Sequence, residues 1–273
     1  RNNTGNDNTG IGYRAMYNNR TGLYNTAIGR EAAYGNDNAD FNVAVGNQTL
    51  YTNTTGDANT ALGYQTMYAT NGGQQNTAGG YRALYANSTG SYNTAYGLEA
   101  LYNTTGDRNT AFGLSAGRTN TTGTLNTFVG NAADAAANNL TNAMAIGSTA
   151  VVDVSNKAVI GNTSVTSIGG QVGWTTYSDQ RVKQSIEHNV PGLSFINLLQ
   201  PVTYHYNIAR EKELLGIKDD SGEWKGKHDI EQMRFSGFIA QQVDSAANSI
   251  GYNFSGIDKA GNIMGLRYAE FVV

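Results

Sequence analysis

The sequence predicts a mainly β protein: a β-roll or β-solenoid of 17-residue coils, followed by a small α+β unit. Three observations carry this. A phrase of the form N-T-A-φ-G returns at a fixed period through the first half. A tyrosine follows most of the closing glycines at a constant distance. Composition then changes abruptly: every lysine, histidine, proline and tryptophan lies at or after Lys157. Such a shift marks a domain boundary.

The period is exact enough to read by eye. "NTGIG" closes at Gly12, "NTAIG" at Gly29, "NVAVG" at Gly46 and "NTALG" at Gly63. "NTAGG", "NTAYG", "NTAFG", "NTFVG" and "AMAIG" follow at Gly80, Gly97, Gly113, Gly130 and Gly147. Every step is 17 residues except the one to Gly113, which is 16. A register held this long indicates a stacked array in which each coil contacts its neighbours.

Each element follows from its phrase. "T-A-I" alternates as a strand does, with Thr26 and Ile28 on one face and Ala27 on the other. The column Ile11, Ile28, Val45, Leu62, Tyr96, Phe112, Val129 and Ile146 is the expected interior. The neighbouring column is nearly all alanine (Ala27, Ala44, Ala61, Ala78, Ala95, Ala111, Ala145), which suggests close approach to another chain. A second phrase, "YRAMY" or "YRALY", carries Tyr17, Tyr34, Tyr51, Tyr68, Tyr85 and Tyr102. It is too short for a helix that stands alone and reads as a second short strand. Phrases such as "NTTGD" then supply turn residues. Stacked at about 4.8 Å, nine coils make a rod roughly 43 Å long. So thin a rod buries little by itself, so several copies are expected to pack along it.

Past Gly147 the spacing shortens, with "KAVIG" closing at Gly161 and "VTSIG" at Gly169. We expect a repeat region over 1–150, a tapering neck over 151–176 and a distinct domain over 177–273. In that domain Leu193 to Leu199 suit a short helix stopped by Pro201. "VTYHY" alternates as a strand, and "FIAQQVDSAA" reads as a helix.

Composition excludes several functions. The net charge of −3 gives no basic surface for nucleic acid. There is no cysteine, hence no disulfide framework and no thiolate metal site. No apolar run reaches membrane-spanning length, so no membrane insertion is expected. The opening "RNNTGNDNTG" is not a secretory signal and looks like the middle of the pattern, as if the chain were a piece of something longer. Asp37, Asp57 and Asp107 lie in turns where calcium is conceivable, but bonding to local backbone is the plainer reading. No metal and no cofactor is expected. The tyrosine column could present a sugar- or protein-binding stripe; packing between coils is the reading we favour. Before residue 187 the only glutamates are Glu31 and Glu99, in equivalent positions on separate coils, so no paired acid/base site is evident.

The repeats resemble the heads of trimeric autotransporter adhesins, with "NVAVG" and "AMAIG" the nearest phrases, although those heads use shorter coils. The C-terminal part resembles the endosialidase-type intramolecular chaperone domain of phage tail spikes and fibres. "SDQRVK", "GLSFINLLQPVTYHY" and "GFIAQQV" carry the likeness, in that order; the family more usually has "RLK" and "AQEV". The resemblance implies a domain that trimerises, drives folding of the fibre ahead of it and then cuts itself off. Relatives mostly continue into a C-terminal coiled-coil helix, which this sequence stops short of. The resemblance implies Ser178 as nucleophile and Lys183 as its base, with Tyr177, Asp179 and Arg181 beside the cut; the scissile bond is one of the two flanking Ser178, with Ser178–Asp179 favoured. Ser–Lys pairs are a recognised variant of the nucleophile-plus-base scheme.

The expected whole is a trimeric β-roll fibre with a single-turnover self-cleaving domain. Its partners would be two further copies and a host or cell-surface receptor, a glycan among the candidates. Its place would be a virion tail fibre or a cell surface. The alternative is a polysaccharide-degrading tail-spike enzyme.

Overall fold

The computed structural model describes residues 4–171, 173–217 and 222–271. The chain divides into two compact units, Arg1–Asn162 and Thr163–Val273.

The first unit is a β-solenoid. Each coil contributes one three-residue strand: β1 Thr9–Ile11, β2 Thr26–Ile28, β3 Val43–Val45, β4 Thr60–Leu62, β5 Thr77–Gly79, β6 Thr94–Tyr96, β7 Thr110–Phe112 and β8 Thr127–Val129. After β9 (Asp134–Ala135) come β10 (Met144–Ile146), β11 (Val151–Val152) and β12 (Ala158–Ile160). Ten of these form one sheet in the order β1 to β8, β10, β12, with β9 and β11 paired beside it. All pairs are parallel and in step, so Thr26 faces Val43, Ala27 faces Ala44 and Ile28 faces Val45.

Which face is inside corrects the sequence reading. Ala27, Ala44, Ala61, Ala78, Ala95, Ala111 and Ala145 are fully buried within the solenoid, not against another chain. The large apolar column points out: Leu62 is 41% exposed and Phe112 is 43% exposed. The lumen explains this. Met16, Leu50, Met67, Leu84 and Leu101 fill it from the opposite wall and leave room on the strand side for a methyl group only. The exception proves the volume rule. Phe128 replaces alanine in its column, and Gly117 stands across from it; a Cβ on Gly117 would sit 2.5 Å from the Phe128 ring.

The second phrase of each repeat forms a turn, not the expected second strand. In one coil Gln65 and Met67 both take left-handed φ, near 52°. Two such residues bend the chain around the lumen, where an extended strand would run straight past it. The closing glycines are required: φ at Gly63 is 129°, and a Cβ there would stand 2.7 Å from the carbonyl oxygen of Gly80 one coil on.

Two ladders of buried asparagine hold the turns. Asn42 Oδ1 accepts from Asn59 N at 2.9 Å, and Asn59 Oδ1 accepts from Asn76 N at 3.0 Å. Asn59 Nδ2 donates to Gly73 O at 2.8 Å. In the second ladder Asn53 clamps both backbone groups of Gly56, and Asn87 those of Gly90. Buried turn backbone needs such partners. The one-residue deletion before Gly113 is absorbed here. Thr104 replaces asparagine and donates to Asn120 O at 2.8 Å, while β6 and β7 stay in step.

The second unit is α+β. It contains α1 (Leu193–Ile196), β13 (Val202–Tyr204), α2 (Ile208–Leu215), α3 (Asp229–Gln232), β14 (Phe235–Gly237), α4 (Ala240–Ser249), β15 (Ile257–Asp258) and β16 (Gly265–Leu266). β13 pairs antiparallel with β14, and β15 with β16. Its core is Phe195 from α1, Val243 and Ala247 from α4, and Phe254, with Leu199, Phe238 and Phe271 around them. The helix expected over 193–199, the strand over 202–206 and the helix over 238–247 form as α1, β13 and α4, the first two shorter than expected and the last shifted two residues on.

Candidate functional site

A single 3₁₀ turn, Gln180–Val182, organises the "SDQRVK" stretch. Asp179 caps it, accepting from Arg181 N at 2.8 Å. The Arg181 guanidinium folds back on the same carboxylate, with Nη2 to Oδ2 at 2.6 Å. The arginine hydrogen bond holds the Asp179 carboxyl below its usual range. The turn brings the residue after it round to the residue before it. Lys183 Nζ donates to Ser178 Oγ at 2.7 Å.

The five sequence-predicted residues therefore fall into two pairs and one outlier. Ser178 and Lys183 meet, as do Asp179 and Arg181. Arg181 is engaged by Asp179, which offsets its charge. Tyr177 makes neither contact and is 92% exposed. All five side chains face solvent in the single chain, as does Trp174, 86% exposed.

A nucleophile and base at hydrogen-bond distance are the parts of an acyl-transfer site. Residues 178–252 match the family model for the chaperone of endosialidase. The matched segment begins at Ser178 and runs through α1 to α4, so the chaperone-of-endosialidase segment covers most of the second unit. No curated protein and no solved structure matches the chain. The segment and the solenoid ahead of it together point to a trimeric fibre. Among the described residues, no helix is long and apolar enough to cross a membrane.

The segment contains one polar cluster that the sequence did not signal. Lys227 is 3% exposed, donates to Gly222 O and to Glu223, and lies over the Trp224 ring at 5.0 Å. Through Gly222 and Glu223 it ties that loop together. A shallow open groove along Leu198, Gln200, Gln241, Gln242 and Ser245 carries Gln242, where the family more often has glutamate.

On the solenoid, the turn carboxylates reach the preceding coil, two of them bonding its backbone and one an arginine side chain. Asp57 accepts from Asp40 N at 2.8 Å, Asp107 from Ser91 N at 2.8 Å, and Asp37 pairs with Arg20. Among the described residues no group of acidic or histidine side chains is arranged to hold a metal. Glu31 and Glu99 stand in one column four coils apart, roughly 19 Å at the strand spacing, and Glu99 pairs with Arg118. Paired glycosidase carboxylates lie within about 10 Å.

The tyrosine column is a continuous stack. Successive rings from Tyr17 to Tyr102 lie 5.0–5.4 Å apart and nearly parallel. Arg118 takes the next place and lies over Tyr102 at 5.5 Å. Ring faces are thus covered by other rings, which favours packing between coils over a platform for sugars.

Proposed function

We propose that the protein is a homotrimeric attachment fibre of the phage tail-fibre type, whose C-terminal segment aligns three chains and then releases itself by cleavage next to Ser178. The observation that carries the proposal is the 2.7 Å contact between Lys183 Nζ and Ser178 Oγ inside the segment matching the chaperone of endosialidase. In the reaction Lys183, as the neutral amine, takes the hydroxyl proton and Ser178 Oγ attacks a peptide carbonyl. The amine of the downstream peptide leaves with a proton, and water then hydrolyses the ester, so one water is consumed per cut.

The expected bond is Ser178–Asp179. A hydroxyl attacking its own residue's carbonyl would close a four-membered ring. A cut after Ser178 is therefore served by the Ser178 hydroxyl of a neighbouring copy, or by a water that the pair activates. A lysine becomes neutral more readily when buried, and both side chains are exposed in the single chain. Assembly supplies the missing burial, which ties the cut to the trimer.

A denaturing gel of wild type beside Ser178→Ala and Lys183→Ala tests this, with the fragment termini read by mass spectrometry. Wild type shortens by the C-terminal piece and both variants stay whole. A wild type that stays whole, or a Ser178→Ala chain that still shortens, contradicts the cleavage.

Attachment draws support from one coil corner. Tyr24, Phe41, Tyr92 and Leu125 sit there at φ of 56–62° and are at least half exposed. Bulky residues in this region are strained, and these gain no core packing in return. Glycans incubated with the trimer should be retained and recovered unchanged; shortened glycans would favour the polysaccharide-degrading enzyme instead.

A further inference from the structure

We infer that the outward apolar column of the solenoid is the seam along which two further copies of this chain pack, parallel and in register. The inference rests on the trimeric reading and names the surface that the trimer uses.

Ile11, Ile28, Val45, Leu62, Gly79, Tyr96, Phe112, Val129, Ile146 and Ile160 occupy one position on successive strands of the ten-stranded sheet. None is charged or hydrogen-bonding through its side chain except Tyr96. The other outward columns are mixed. The tyrosine column is closed by Arg118, and the strained corner column includes Asp7, Gln75 and Arg108. Only the strand column is apolar from end to end.

The column is also kept continuous where it would break. Gly79 leaves a gap, and the Tyr96 ring from the next coil lies over it, 2.6 Å from where a Cβ would stand. Beside it run Tyr13, Tyr64, Tyr81, Leu98 and Leu114, each more than 40% exposed, with Arg30, Asn47, Asn131 and Ser148 at the same position on other coils. A strip about 45 Å long and 14 Å wide covers roughly 600 Å² per chain at strand geometry. That is at the upper limit of what monomers expose and close to the ~800 Å² per partner of a stable interface.

The occupant is another copy because the strip repeats every coil, over the full length of the sheet. A receptor needs a local patch; a partner with the same rise per coil covers all of it. Parallel copies in step place equal side chains at equal heights, so the Gly79 and Tyr96 levels coincide in all chains. The strand column itself carries no charge to steer an unlike partner.

The chain has no cysteine, so an introduced one is the only thiol. Single variants Leu62→Cys, Phe112→Cys and Val129→Cys of the full chain are treated with a short bis-thiol cross-linker, beside Thr55→Cys on an exposed turn. Native mass is measured on each. The three seam variants should give cross-linked pairs in most of the protein and Thr55→Cys several-fold less. Mixing Leu62→Cys with Ile11→Cys chains during folding should give no mixed pairs, since three coils separate the thiols. Trimers that cross-link at Thr55 but not at the seam would overturn the seam while leaving the trimer intact. Mixed Leu62–Ile11 pairs would overturn the register. A native mass of one chain would instead overturn the trimeric reading beneath it.

Discussion

Asp134 shows how a single side chain sets a pH response in this fold. It is half-buried in β9 and accepts from Ala135 N at 2.8 Å and Thr119 N at 3.0 Å. Burial is the larger influence and pushes its carboxyl up to about 6. The folded carboxyl thus binds its proton at higher pH than the unfolded one. The penalty for its charge is present at pH 7 and is relieved as pH falls through about 6 toward the unfolded value. Thermal melts of the full chain should show stability rising between pH 7 and pH 5. Asp134→Asn keeps an acceptor without the charge, so it should gain about 1 kcal/mol at pH 7 and flatten that slope. A variant with the wild-type slope contradicts the assignment. The Ser178–Lys183 contact could be anticipated at this scale for a different reason. Ser178 and Lys183 stood out through their resemblance to a known motif, and a five-residue spacing alone carries almost no signal. That the intervening turn would engage Arg181 with Asp179 depended on backbone geometry that composition does not display.

At the scale of the coil, the glycine column, the period and the strand phrase could be read directly. They follow from one steric fact: the chain passes so close to its neighbour that only hydrogen fits. Gly63→Ala would place a Cβ 2.7 Å from Gly80 O at a φ of 129°. Strain and clash together should cost about 3 kcal/mol or more, read as loss of melting temperature. Unchanged stability would mean that the coils do not stack this closely. Inside and outside were misread at the same scale. Alternation separates two faces but does not say which is buried. Size suggested the large column, whereas the lumen was already filled by Leu50, Met67, Leu84 and Leu101. Those residues lie in a turn phrase with left-handed φ, which helix and strand periodicities do not describe. The asparagine ladders were hidden for a related reason. Asn42 and Asn59 look like ordinary turn residues until their buried bonds across coils are seen.

At the scale of the molecule, the two units pose complementary problems. A solenoid of near-identical coils gives an approaching copy many nearly equal registers. A slip by one coil keeps most contacts, so side chains alone discriminate weakly. An alignment device at one end solves this, and in the proposed function the segment matching the chaperone of endosialidase is that device. Under that proposal, loss of the device after the coils have closed removes the route back, and persistence becomes kinetic. Legibility was high here because repeats and an abrupt change of composition are visible without any structure.

The account depends most on three chains being held together. Ser178→Ala keeps the chain whole in this account, so its native mass reports assembly free of cleavage. The account predicts a species at three times 29.1 kDa, without monomer at micromolar concentration. A stable, folded species at 29.1 kDa would contradict it.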